Sequence, residues 1–393
     1  MAAGRIAIAG AGIGGLAAAI ALARAGFEVV VLERALALEE AGAGVQLAAN
    51  ATRSLNALGL YERVAARAVR PEALEIVNGL TGEMLSHAPL GAKARKRFGA
   101  PFLVIHRADL QAALLEAARA EPSIGLLLGR TVEDVEERPD GITVRCSHAG
   151  LPEEHDAIAL IGADGLRSNV RRRLGMGRDP SFRHRAAWRA TVAAEDLPPH
   201  LAAPTVRLWL GPRAHLVSYP VRAGAAVNLV AVTPDERTAH GWGASAAREE
   251  LVEHFEGWSA DAQTLLATPD HWLRWALFDL PPLRRWGKGR VTLLGDAAHA
   301  MLPFLAQGAA QALEDAVVLG RSLRAGRGDI VAALRRYENQ RRARTARVQR
   351  AARGMDRIYH LSGPARLLRD LVLRSREGEA AMERYGWIYR WKP

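Results

Sequence analysis

A chain of 393 residues with 49% apolar and 24% charged residues is long enough for about two or three domains and too apolar to be an intrinsically disordered chain. Its single cysteine, Cys146, excludes an internal disulfide and a cysteine-rich metal site, which suits a reducing cytoplasm, and no apolar run reaches the roughly 18 residues of a membrane span. The formal net charge of +11 admits nucleic acid, a membrane surface or acidic substrates as partners.

The chain opens on a short apolar strand, Arg5 to Ala9, followed by Gly10-Ala11-Gly12-Ile13-Gly14-Gly15 and an Ala/Leu-rich helix to about Ala25. Gly26 stops that helix, and a second apolar run from Val29 to Leu32 ends in Glu33 and Arg34. Strand, glycine turn, helix, strand and acid, in that order, hold an adenine dinucleotide. Gly10 permits the tight turn, Gly12 the approach of a pyrophosphate, and Gly15 the close packing of helix on strand. The helix N-terminus offers N–H groups and partial positive charge to the phosphates, and Glu33 accepts from a ribose hydroxyl. Which dinucleotide sits there, this stretch leaves open. The apolar run from Ile6 to Leu22 has the look of a signal peptide, but the glycine pattern and Glu33 fit a folded unit better.

A second glycine pair, Gly42 and Gly44, leads into Val45, Gln46 and Leu47 and reads as backbone passing close to a ligand or as a surface loop. A helix follows over Ala49 to Leu58, then a hairpin turning at Asn78-Gly79, then a basic stretch from Gly91 to Arg97 that reads as a loop. Phe102 to Ile105 is a strand ending at His106-Arg107, with a helix from about Asp109 to Ala120. Runs at 125–128, 131–136 and 141–146 separated by turn signals read as antiparallel strands. Ala157 to Ile161 is a buried strand running into Gly162-Ala163-Asp164-Gly165, with Ser168 and Arg171 beyond.

From Arg185 to about Leu280 short strand-like runs dominate, which marks a separate, largely β module. His215 and Tyr219, four apart on one such run, fall on the same strand face. At Val291 to Leu294 a buried strand returns and meets Gly295-Asp296-Ala297-Ala298-His299; beyond Gln307-Gly308-Ala309 a long helical region runs, with breaks, to Arg353. Its arginines at 341, 344, 347, 350 and 353 recur every three residues, which predicts a solvated helix face. No nucleic-acid module accompanies them. The aromatic tail from Trp387 to Trp391 is expected to pack back on the body. There is no second complete glycine fingerprint, so one dinucleotide is tightly held.

The N-terminal fingerprint, the Gly162-to-Arg171 stretch and the segment Gly295 to Gly308 with Glu314-Asp315-Ala316 together resemble the single-component FAD-dependent aromatic hydroxylases, the para-hydroxybenzoate hydroxylase-like flavoprotein monooxygenases. Salicylate hydroxylases resemble it most, with 3-hydroxybenzoate 6-hydroxylases and 6-hydroxynicotinate monooxygenases close by. The resemblance implies an α/β fold: a Rossmann-like FAD-binding domain (1–73, 101–180 and 285–350), an inserted, largely antiparallel β substrate domain (74–100 and 181–284) and a C-terminal helical tail (351–393). It also implies bound, non-covalent FAD, with NADH or NADPH as transient co-substrate. The activity implied is hydroxylation of a small phenolic aromatic acid with O₂ through a C4a-hydroperoxyflavin, in a cytoplasmic enzyme that binds neither membrane nor nucleic acid and needs no metal. A homodimer is left open by the helical tail.

By motif, Gly10, Gly12, Gly14, Gly15, Glu33, Arg34 and Gln46 fall to FAD binding, together with Arg107, Asp164, Asp296, Gly308 and Ala309. Asp296 falls on the ribityl chain, Arg107 near the pyrophosphate, and the backbone from Gly308 on the N1–C2=O edge of the flavin. Arg107 also reads as a helix cap, Asp164 as a turn residue, and His299 as structural. His215 matches the base of the 3-hydroxybenzoate 6-hydroxylase branch, with its proton passed through Tyr219, and Gln307 matches a glutamine near the substrate. One departure stands: the 6-hydroxynicotinate branch carries a histidine where Gln46 stands here. That branch, a flavin-dependent dehydrogenase and a halogenase are the alternatives.

Overall fold

The computed structural model describes residues 3–38, 44–176, 179–237, 244–326, 328–375 and 378–393. Gly42, one of the second glycine pair, lies outside them. Strands are numbered β1 to β19 and six principal helices α1 to α6 along the chain.

Among the described residues the strands form four sheets. The first runs in the order β18 (Gly287–Lys288), β19 (Val291–Leu293), β11 (Ala159–Gly162), β1 (Ala3–Ala9), β2 (Phe27–Glu33), β7 (Ile124–Leu128). From β19 to β7 every pairing is parallel. Such a sheet is covered on both faces, so its strands read as continuous apolar runs rather than alternating ones; Ile6, Ile8, Val31, Leu160 and Ile161 are all fully buried. Helix α1 (Ile13–Arg24) packs on this sheet and against α4 (Gly308–Ala325). A small sheet of β3 (Gly44–Leu47) and β6 (Leu103–His106) lies beside α2 (Ala49–Ala57) and leads into α3 (Arg107–Arg119). Three further strands, β8 (Arg130–Glu137), β9 (Ile142–His148) and β10 (Leu151–Ala157), form an antiparallel meander.

The largest sheet has the order β16 (Ala244–Ala246), β17 (Trp272–Asp279), β12 (Ser181–Ala193), β15 (Ala226–Pro234), β14 (His215–Val221), β13 (Thr205–Leu210), β4 (Ala73–Asn78), β5 (Met84–Pro89). Its one parallel pairing joins β13 to β4. One face packs a tryptophan-rich core containing Trp188, Trp209, Trp258 and Trp272; the other looks toward the glycine turn. Helix α5 (Ile330–Tyr359) crosses from the first sheet to the large one, and α6 (Gly363–Arg374) follows it.

Three local expectations change. The run at 124–128 is not part of the antiparallel meander but pairs parallel to β2, because its apolar side chains complete the buried sheet. The basic stretch forms a helix, Ala92–Phe98, which buries Ala94 and Phe98 and leaves its other residues exposed. The arginine run is not a plain solvated face: Arg341 is 1% exposed and Arg344 13%, and both clasp the carboxylate of Glu314 on α4. No described helix is long and apolar enough to cross a membrane.

Candidate active site

A cavity of about 790 Å³ lies between the glycine turn, the Gly44–Gln46 strand, the inner face of the large sheet and α6. Two helix N-termini open onto it. Gly12, the residue before α1, and Gln307, the residue before α4, both make no capping hydrogen bond through a side chain, so the first-turn N–H groups of both helices are available to an anion or carbonyl oxygen. A Cβ at Gly12 or at Gly308 would meet no protein atom within 4 Å. By contrast, Gly10 has φ +103°, and a Cβ there would stand 2.6 Å from the carbonyl oxygen of Ala163. The turn is thus tightly built on its inner side and empty on its cavity side, as a cradle for a phosphate requires.

The N-terminus of α4 is anchored by a buried polar network. Asp315 accepts from Gly295 N at 3.0 Å and from His299 Nε2 at 2.6 Å, and Arg341 Nε donates to it at 2.6 Å. Burial alone would raise the Asp315 carboxyl; the charges of His299 and Arg341 outweigh that and hold it below its ordinary value. The Gly295-Asp296 turn is thereby pinned, with Asp296 exposed on the cavity wall. Asn50 Nδ2 donates to Gln307 Oε1 at 2.9 Å and to Glu314 Oε1 at 2.7 Å, and Gln311 Nε2 donates to Gln307 Oε1 at 3.2 Å. With its oxygen engaged twice, the Gln307 amide, which lines the cavity, keeps its N–H₂ as the donor end.

The floor follows from sheet register. Opposed residues share a face, so Arg189, Val230, Val217, Leu208 and Ile76 form one row across β12, β15, β14, β13 and β4. His215 and Tyr219 flank Val217 on β14, and all seven line the cavity. Apart from these polar groups the floor is aliphatic. Arg189 lies against the Trp275 ring, 4.9 Å from its centroid, and its Nε has no hydrogen-bond partner among the described residues. Burial and the nearby Arg107 lower its pKa to about 10, which leaves it a cation at neutral pH.

His215 is 3% exposed. Its ring sits among Phe304 and Tyr359 (centroids 5.4 Å each) and His360 (4.9 Å). Burial, then His360 and Arg185, push its pKa well below the ordinary histidine value, so the resting ring is neutral and able to accept a proton.

Residues 4–352 match the FAD binding domain family. The chain is 40% identical over 385 residues to the 3-hydroxybenzoate 6-hydroxylase of Polaromonas naphthalenivorans, covering 98% of this chain and 95% of that one. It is 41% identical over 387 residues to a 3-amino-4-hydroxybenzoate 2-monooxygenase of Streptomyces platensis, with the same coverage. Among solved structures, Klebsiella pneumoniae HpxO complexed with FAD and uric acid superposes with TM-score 0.87 at 28% identity, covering 98% and 96% of the two chains. A salicylate hydroxylase substrate complex superposes with TM-score 0.84 at 26% identity, covering 100% and 96%. The chain belongs to the family of FAD-dependent aromatic hydroxylases.

In this hydroxylase the cavity fits FAD: two uncapped helix N-termini and a glycine turn with no Cβ on its open side suit the phosphates and the flavin carbonyl edge. Of the residues expected at the site, Gly12, Gly14, Gln46, Arg107, Asp296, Gln307, Gly308, Ala309, His215 and Tyr219 line the cavity. Five stand behind it. Gly10 makes the turn, and Gly15 brings α1 against it. Glu33 accepts from Ala11 N at 2.7 Å and from Ala35 N at 2.9 Å, which ties the end of β2 to the turn. Arg34 is exposed beyond β2. Asp164 accepts from Ser168 Oγ at 2.5 Å and from Val170 N at 3.1 Å, the work of a turn residue, and so places its neighbours Ala163 and Gly165 on the cavity wall. Arg171 links this turn to the Asp296 segment by donating to Leu166 O and Ala297 O.

The expected route from His215 through Tyr219 is corrected. Four strand residues hold the two roughly 13 Å apart along β14, and the ring partner of His215 is His360, at 2.8 Å. Tyr219 instead packs over Gly44. Arg189, Asn50 and His360 were not foreseen. Arg189 had a signal, a lone arginine within the apolar run Ala186 to Val192; Asn50 and His360 had none, because their partners lie 257 and 145 residues away.

Proposed function

We propose that the enzyme hydroxylates a hydroxybenzoate-type phenolic acid, with NAD(P)H and O₂ as co-substrates, and that His215 accepts the phenol proton. The observation that carries this reading is a neutral, buried imidazole at the floor of an apolar cavity whose far side is built for a dinucleotide. Bound FAD would supply electron uptake from NAD(P)H and activation of O₂, chemistry outside the reach of side chains. Gly12 and the α1 N-terminus would hold its pyrophosphate, Asp296 its ribityl chain, and the backbone from Gly308 its carbonyl edge. The chain's own residues do the rest. The aliphatic rows of the sheet exclude water. The Gln307 amide orients the ring. His215 takes the hydroxyl proton, because a phenolate ring is the better nucleophile. Arg189, a cation on the same floor, suits an acidic ligand. The 3-hydroxybenzoate and aminohydroxybenzoate hydroxylases to which the chain is similar support this substrate class.

The same reading takes 1–73, 101–180 and 285–350 as the FAD-binding domain and 74–100 with 181–284 as the substrate domain. It assigns a reducing cytoplasm, in keeping with the buried free thiol of Cys146. It also includes a homodimer through α6, where Leu367, Leu368 and Leu371 are more than 60% exposed; sedimentation of the Leu367→Glu/Leu371→Glu variant checks that part. The test of the activity is a panel of hydroxybenzoates, salicylate included, and hydroxypyridine acids. Purified protein should carry FAD, and one class of phenolic acid should stimulate NAD(P)H oxidation with stoichiometric hydroxylated product. A protein that takes up FAD but shows no stimulation by any phenolic acid overturns the reading.

A further inference from the structure

Behind His215 a continuous chain of hydrogen bonds leaves the cavity. His215 Nδ1 lies 2.8 Å from His360 Nε2. His360 Nδ1 lies 2.7 Å from the main-chain oxygen of Asp356 and 2.9 Å from its Oδ1. Asp356 Oδ1 also accepts from Arg185 Nε at 2.7 Å, and its side chain is 23% exposed. His215 and His360 are buried, and Asp356 is where the chain meets solvent.

The proton positions follow from the partners. Both oxygens of Asp356 that face His360 are acceptors, since Arg185 and His360 hold the carboxyl below its ordinary value against burial. His360 Nδ1 therefore carries the hydrogen, and the Nε2 of the neutral ring accepts. His215 Nδ1 must then be the donor between the rings, which leaves the His215 Nε2 lone pair on the cavity side, where it has no partner among the described residues. A third group that fixes a histidine tautomer is the usual means of aiming a general base.

We propose that His360 and Asp356 are positioning residues that form a proton relay for substrate deprotonation, from His215 to solvent. This rests on the reading of His215 as the base. The step is an exchange of protons with no net change at either ring. The phenol proton moves to His215 Nε2, the Nδ1 proton of His215 moves to His360 Nε2, and the Nδ1 proton of His360 moves to Asp356 Oδ1 and on to water. The phenolate stays in the cavity, hydrogen-bonded to His215 Nε2–H.

Two observations explain why a relay is needed and why it resets. An imidazolium at His215 is disfavoured by burial and by Arg185, so a proton cannot rest there. The titratable groups facing the pair are Arg185 from β12 and Asp356 and Tyr359 from α5. Among the described residues, the one carboxylate directly bonded to the pair is Asp356. Its main-chain oxygen, at 2.7 Å from His360 Nδ1, cannot take a proton, so it favours the resting tautomers and restores them once product leaves.

The test uses FAD-loaded enzyme with 3-hydroxybenzoate as probe. It reads the ionisation of the bound phenol by difference absorbance, along with kcat, KM and product yield against pH. His215→Asn should abolish ionisation below the free phenol's pKa. His360→Ala and Asp356→Asn should keep FAD and hold KM within about threefold. Both should lower kcat about tenfold or more at neutral pH, raise the pH at which the bound phenol ionises, and recover as pH approaches the free phenol's value. Added imidazole should partly restore His360→Ala. If His215→Asn is impaired while the other two keep ionisation and pH profile within twofold, the relay falls and the base reading stands. If His215→Asn itself behaves as wild type, both fall. Should His360→Ala fail to fold, Asp356→Asn, at the partly exposed end of the chain, decides the question.

Discussion

A Cβ at Gly15 would overlap the carbonyl oxygen of Gly10, whereas one at Gly12 would meet no protein atom within 4 Å. The two glycines of one motif therefore answer to different demands, and single substitutions separate them. Gly15→Ala is expected to destabilise the fold by a few kcal/mol, since helix α1 must move off the turn. Gly12→Ala should change the stability of the FAD-free protein by no more than about 0.5 kcal/mol while weakening FAD binding about tenfold, or about 1.4 kcal/mol. Denaturant unfolding and FAD titration of both variants check this. His215 gives a second prediction at this scale. Its folded pKa lies well below the unfolded value. The unfolded chain therefore binds the proton first, and stability falls as pH drops below about 6.5. His215→Asn should remove that part of the slope. The acid limb of kcat/KM should likewise lie below about 6.5 in the wild type.

Helix α4 shows how an element is placed by groups far from it in sequence. Asp315 and Glu314 are fully buried acids near its start, and they are answered by Arg341 and Arg344 from α5, His299 and Asn50. Asp315→Ala leaves Arg341 buried with half its charge uncompensated, and should cost about 3–5 kcal/mol. It also frees Gly295 N, so FAD affinity should fall with stability; equilibrium unfolding and FAD titration together test this. Since the Asp315 carboxyl is held below its ordinary value, its contribution is present above that value and is lost as pH falls through the folded pKa. The arginines looked solvated in sequence because their spacing is that of any exposed helix face. Only the approach of α4 shows which of them turn inward.

Across the whole molecule the C-terminal tail closes the structure. Arg344 donates to the carbonyls of Trp387 and Ile388 at 3.0 and 2.9 Å, and Arg53 donates to those of Tyr389 and Trp391. The Tyr389 ring packs 5.2 Å from both Phe98 and Phe102. Arg347 lies 3.8 Å from the centre of the Trp387 ring. Removing residues 386–393 strips these partners from Arg344 and so loosens Glu314, Asn50 and Gln307 in turn. The truncated protein should unfold several degrees earlier and hold FAD less tightly, which thermal unfolding and retained flavin absorbance will show. The dinucleotide turn, the cofactor and the enzyme class were legible in sequence, because each depends on residues adjacent in the chain or on motifs whose spacing is rigid. Gly10 to Glu33 builds its cradle from one strand–helix–strand unit, and β2 and β11 declare burial by composition alone. What tertiary structure decided is the partner of each polar group. The face of β14 that carries His215 was set by strand alternation. That His360 rather than Tyr219 receives its hydrogen bond, and that Arg341 turns inward, depends on where α5 crosses the large sheet. A buried polar group must find its partner wherever the fold brings one within hydrogen-bonding distance, and local sequence carries no record of that distance.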